Sequence, residues 1–180
     1  MYKTGLMLAL LTITVVAFAQ ASTGEIKAKP YVPRKIVMSP QPVTKTEAGK
    51  VFAQAGSAIA KVMPTLKAPS ERLAGPKPVT REEVIGQFDK LFQMAKPEFK
   101  FTPKKVSYDA TLLTIKDPAA RAKLQNLIAW GCVDKVGYLA TANKGTLGVT
   151  EFGDSVGFLL SRLAELTHMP DPEFTPDLQP

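Results

Sequence analysis

Residues 117–167 constrain this chain more than any other stretch, because two amphipathic helical patterns stand there on either side of a short connector. Asp117-Pro118 reads as a helix start. The Asp side chain can accept from a free first-turn N–H, and a proline at the first helical position forfeits no hydrogen bond. Ala120, Leu124, Leu127 and Ile128 then share one face, and Gly131 sits where a left-handed residue closes a helix. Val133 to Leu139 reads as extended chain with a turn, and Asn143-Lys144-Gly145 as a second turn. Thr150 is expected to cap a last helix. Phe152, Val156, Leu159, Leu160, Leu163 and Leu166 line one side of it, and Pro170 follows its end.

A third helix precedes this pair. In Thr80-Arg81-Glu82-Glu83 the Thr hydroxyl can accept from the backbone three residues on while Glu83 reaches back, the reciprocal pattern of a capping box. Val84, Phe88, Leu91, Phe92 and Ala95 form its apolar stripe, and Pro97 stops it. Residues 98–116 alternate in part, with Phe99, Phe101, Val106 and Tyr108 as the apolar members, which predicts a short edge strand or an extended loop laid on the core. The expected fold is mainly α: a small three-helix domain with short extended segments over residues 79–169.

Before Val79 the pattern changes. Residues 1–21 have the three parts of a secretory signal: Lys3, an apolar run from Leu6 to Phe18, and Ala19-Gln20-Ala21 as a small-x-small cleavage site. The apolar run is short for a bilayer span, and no later stretch is apolar enough, so the mature chain is expected to lack a transmembrane segment. Residues 22–78 carry eight prolines and read as a basic tether, with a marginal helix at 46–63 whose Val51, Ala55, Ala58, Ile59 and Val62 share a face and which Gly49 and Gly56 weaken. Residues 170–180 form an acidic, Pro-rich tail.

The formal charge of +7 is unevenly placed. Residues 22–78 hold ten Lys/Arg against three Asp/Glu, whereas residues 79–169 hold twelve against ten. The tether is therefore the part suited to polyanions, and the near-balanced domain argues against nucleic acid as its target.

No constellation points to catalysis. Gly153-Asp154-Ser155-Val156-Gly157 fits G-x-S-x-G, but that motif works only on a strained strand-to-helix turn, and here it falls inside an expected helix. His168, the sole histidine, lies thirteen residues beyond Ser155 and is expected to cap the helix C-terminus. Gly153 and Gly157, four apart, are read instead as a packing face that lets the Lys123 side of the preceding helix, or a partner helix, come close. The lone Cys132 is expected to be buried beside Trp130 and Val133 and allows no intrachain disulfide. Neither a metal site nor a cofactor is expected.

The capping segments Thr80-Arg81-Glu82-Glu83-Val84 and Gly148-Val149-Thr150-Glu151-Phe152 can be superposed, a hint of internal repetition. Together with Leu124-x-x-Leu127-x-x-x-Gly131 they resemble the S-layer homology (SLH) family, in which a helix ending in Gly and a short loop lead to a T-R-x-E-F type segment that opens a second helix. The resemblance spans Val79 to Leu166. It departs at Ala119, where the family has Trp, and at Gly148 and Val149, which replace Thr-Arg. It implies an exported protein of the periplasm or cell surface that binds envelope polysaccharide or a surface-protein partner, without catalysis. It also implies Arg81 as the ligand-contact residue. The alternative is a winged-helix-like domain for protein contacts, with Leu124 to Val133 closing a helix-turn-helix and Gly137 to Val149 forming the wing.

Overall fold

The structure, a computed structural model, describes residues 41–65, 73–170, 172 and 174. The expected leader, residues 22–40 of the tether and most of the acidic tail lie outside them. Five α-helices follow in order: α1 (Lys45–Val62), α2 (Arg81–Ala95), α3 (Pro118–Ala129), α4 (Tyr138–Thr141) and α5 (Val149–Thr167), with 3-10 turns at Lys96–Glu98 and Ala110–Leu112. The domain is mainly α, as the periodicity implies. Every apolar residue expected on the inner faces of α2, α3 and α5 is buried. α2 packs against both α3 and α5, and α5 also packs against α1.

One boundary is corrected. The helix expected as a marginal part of a tether is an 18-residue core element. Val43, Ala48, Val51, Ala55, Ile59 and Met63 join the same buried cluster as α2 and α5. The compact core accordingly includes α1 and does not begin at Val79. Gly49 looks like a helix-weakening residue in isolation, yet an added Cβ there would lie 2.2 Å from the Leu73 carbonyl oxygen. The glycine lets the chain between α1 and α2 cross the helix directly.

The starts of α1, α2 and α5 are knotted together by backbone pairing. Three isolated antiparallel bridges join Pro42 to Gly148, Thr44 to Pro78 and Thr80 to Thr146. The first residue of each helix donates to the carbonyl four positions before the first residue of the next one: Lys45 to Lys77 (2.9 Å), Arg81 to Gly145 (2.9 Å) and Val149 to Gln41 (3.3 Å). Those three bonds close a ring. Inside it Val43, Val79 and Leu147 are fully buried. The segments Pro42-Val43-Thr44-Lys45-Thr46-Glu47, Pro78-Val79-Thr80-Arg81-Glu82-Glu83 and Thr146-Leu147-Gly148-Val149-Thr150-Glu151 are thus three copies of one unit. In each, the glutamate carboxylate accepts the N–H of the cap residue: Glu47 from Thr44 at 2.8 Å, Glu83 from Thr80 at 3.0 Å, Glu151 from Gly148 at 2.9 Å. Phe52 of α1 sits edge-on to Phe88 of α2 and Phe152 of α5, joining the three helices in the core.

The cap of α5 is Gly148, not Thr150. With no hydroxyl at that position, only the Glu151 half of the capping box can form. Residues 98–116 contain no strand: they run as loop and 3-10 turns, with Phe99, Val106 and Tyr108 packed on the core and Phe101 more exposed. The wing of the winged-helix alternative is also absent, since Gly137 to Val149 contains the helical turn α4, a bend at 143–145 and two isolated bridges, at Thr146 and Gly148, that pair with different segments.

Candidate functional site

The α4 segment is built from short-range bonds. Asp134 accepts the Val136 N–H at 3.1 Å, the Gly137 N–H donates to the Asp134 carbonyl, and the Thr141 hydroxyl donates back to the Val136 and Gly137 carbonyls. Residues 139–144 are then held from behind by Arg81. Its guanidinium donates to the Leu139 carbonyl (2.7 Å), the Ala142 carbonyl, the Thr114 hydroxyl (2.9 Å) and, more weakly, the Lys144 carbonyl (3.4 Å). Thr114 strengthens the clamp, with its hydroxyl donating to Ala142 and its N–H to Ala140.

Arg81 is 3% exposed, and its Nε has no hydrogen-bond partner. Burial pulls its pKa down, and the charge of Glu82 offsets part of that. The expectation that Arg81 contacts a ligand meets a different geometry. The side chain is turned inward and spent on backbone oxygens, so its role in this fold is to position a loop.

In front of that loop lies a groove of about 710 Å³. One wall is the α4 segment from Val133 to Lys144, and the other is the first half of α5. Glu151, Asp154, Ser155 and Phe158 line the second wall because their spacing of three and four places them on one helical face. Phe88 and Leu139, both fully buried, form part of the apolar floor. Tyr138 and Phe158, each 48% exposed, flank the opening from opposite walls. Around them stand Asp134, Asp154, Glu151, Asn143, Thr141 and Lys144. Half-exposed aromatic rings over an apolar floor, rimmed by carboxylates, an amide and hydroxyls, make an amphipathic binding surface.

The other residues singled out in the sequence are scattered around this groove. Thr80 and Glu83 form the expected capping box, and Asp117 caps α3 by accepting from the Ala120 N–H. Gly131 has φ +71°, and the paired bonds Gly131 to Ile128 and Cys132 to Leu127 close α3. Gly157 does not admit α3: a Cβ built there meets nothing within 4 Å. With Gly153 it faces a shallow depression lined also by Val149, Phe158 and Phe174. Ser155 lies within α5 and donates to the Glu151 carbonyl at 2.7 Å. His168 ends α5 through its backbone, in the left-handed conformation at φ 55°, while its ring stacks near Phe101. Cys132 is buried, which pushes its thiol up to about 12, with Arg162 pulling weakly the other way. Among the described residues no group of His, Cys, Asp and Glu is placed to hold a metal ion, and no helix is long and apolar enough to cross a membrane.

Sequence reasoning missed the groove because its walls come from two stretches that look unrelated. Val133 to Gly145 reads as connector, and the polar face of α5 reads as solvated. The exposed pair Tyr138 and Phe158 was the available signal, since neither belongs to an apolar stripe. The third copy of the capping unit was also legible: Pro42-Val43-Thr44 repeats Pro78-Val79-Thr80, with glutamate three residues beyond each threonine.

No protein-family model, curated protein or solved structure matches this chain.

Proposed function

We propose that this chain is an exported, non-catalytic binding module of the cell envelope, and that the groove between α4 and α5 takes a strand of envelope polysaccharide. The observation that carries the reading is the pair of half-exposed aromatic residues, Tyr138 and Phe158, lining the two walls of a groove with an apolar floor and a polar rim. Sugar rings present apolar C–H faces and a periphery of hydroxyls, and such a groove complements both. The secretory pattern of residues 1–21 supports export.

The test is co-sedimentation of the protein, from Ser22 onward, with isolated envelope at low and at physiological salt. Binding that survives physiological salt and falls at least tenfold in Tyr138→Ala or Phe158→Ala is expected. No sedimentation at either salt concentration overturns the proposal. Sedimentation abolished by protease treatment of the envelope, and indifferent to removal of its polysaccharide, would make the ligand a surface protein.

A further inference from the structure

We propose that the groove selects its polysaccharide by charge: it takes a strand bearing free amines and excludes acidic ones. The inference rests on the reading of the groove as a sugar site and adds the chemical class of the sugar. Three carboxylates line the groove, those of Asp134, Glu151 and Asp154, against the single ammonium of Lys144. The buried Arg81 adds a positive charge behind the wall, but its two terminal nitrogens donate to the Leu139, Ala142 and Lys144 carbonyls and to Thr114, and its unpartnered Nε is buried away from solvent. It therefore offers an anionic ligand no donor, and the carboxylates still outnumber the cations.

The placement of the acids sharpens the selection. Asp154 has no ion-pair partner among the described residues and stands one helical turn before Phe158 on the same face of α5. Asp134 uses one oxygen to fix the Val136 N–H, and Glu151 uses one for the Gly148 N–H. Each carboxylate thus sits on a wall that also carries an exposed ring: Asp134 near Tyr138 along the chain, and Asp154 near Phe158. An amino sugar stacked on either ring brings a cation both to a carboxylate and to an aromatic face, where cations are favoured. An acidic sugar in the same place meets like charge at both rings.

This charge sign is opposite to that of residues 22–78, so net charge alone misdescribes what the domain prefers. The discrimination is electrostatic and partly solvent-screened, so it is expected to be moderate and to weaken with salt.

The test is isothermal titration of the protein from Ser22 onward with three hexasaccharides: glucosamine, N-acetylglucosamine and galacturonic acid. The glucosamine hexamer is expected to bind about tenfold more tightly than the acetylated one, the size of two partly screened charge pairs, and the acidic one more weakly than both. The double variant Asp134→Asn, Asp154→Asn should bring the first two within about twofold of each other. Equal or tighter binding of the acidic hexamer, or a preference that persists in the double variant, overturns the inference and leaves the sugar site standing. Loss of all saccharide binding alongside intact envelope sedimentation overturns both this inference and the groove as the sugar site. A lysine hexapeptide that binds as tightly as the glucosamine hexamer, and competes with it, makes the groove a general cation site and overturns the polysaccharide assignment.

Discussion

At the scale of single residues, three arginines do much of the work that sheet hydrogen bonds do in other folds. Arg81 holds residues 139–144, Arg121 binds the carbonyls of Ala110, Leu113 and Ile115, and Arg162 donates from Nε to the Trp130 carbonyl. A guanidinium suits this because its donors form a rigid fork that reaches several carbonyls of an irregular segment at once. Replacing Arg81 by Met would take the side-chain donor from the Leu139 and Lys144 carbonyls and leave the Ala142 carbonyl to Thr114 alone. A loss of about 3 kcal/mol in urea unfolding is expected, and Arg81→Lys should recover less than half, since one ammonium cannot span the same acceptors. A loss under about 1 kcal/mol would show the clamp to be idle. The glycines separate by environment in the same way. Gly49→Ala must push Leu73 away and should cost about 1–3 kcal/mol. Gly157→Ala meets open space and should stabilise by up to about 1 kcal/mol, as in any exposed helix interior. Thermal unfolding of the two variants checks both signs.

At the scale of elements, the helix starts are the best-specified parts of the chain, and they carry a pH signature. Hydrogen bonds from the Thr44 side chain and backbone hold the Glu47 carboxyl below its ordinary 4.5. Burial pushes Glu83 up, but bonds from Lys45 and Thr80 and the Lys45 charge outweigh it, so Glu83 also titrates low. Lys45, the first residue of α1, makes an ion pair with this third residue of α2, which ties one capping unit to the next. A carboxyl whose folded pKa lies below its unfolded value binds fewer protons in the native state, so stability rises with pH across that interval. The contribution is complete above about 4.5 and is lost as pH falls through the depressed folded values. The double variant Glu47→Gln, Glu83→Gln should be less stable at neutral pH, and its stability should fall less steeply on acidification than that of the parent. Parallel acid limbs for the two proteins would contradict this.

At the scale of the whole molecule, the ring of backbone bonds at the starts of α1, α2 and α5 makes the three capping units interdependent. A chain beginning at Val79 lacks α1 and loses Val43, Val51, Phe52 and Ile59 from the core, together with two of the three bonds that close the ring. It is expected to show weak, non-cooperative unfolding, whereas a chain of residues 36–180 should unfold in one transition at a temperature close to that of the parent. Circular dichroism melts of both decide the domain boundary. A cooperative melt from the shorter chain would return α1 to the role of an accessory.

What the residues determined alone was local: which segments are helical, which face of each turns inward, and how α2 and α3 are capped. Period and capping chemistry act over three to eight residues, so these features depend on little beyond their own neighbourhood. The tertiary structure decided the matters that need distant partners. It placed α1 in the core although prolines and glycines made its surroundings look like a tether, because Leu73 and the ring of caps supply the contacts that its own sequence lacks. It turned Arg81 inward, since carbonyls 58 to 63 residues away are its acceptors. It also assembled the groove, by bringing Tyr138 and Phe158 to its walls from two stretches that carry no shared pattern. Burial and long-range hydrogen bonding are properties of where chain segments meet, and that meeting is not written in any one of them.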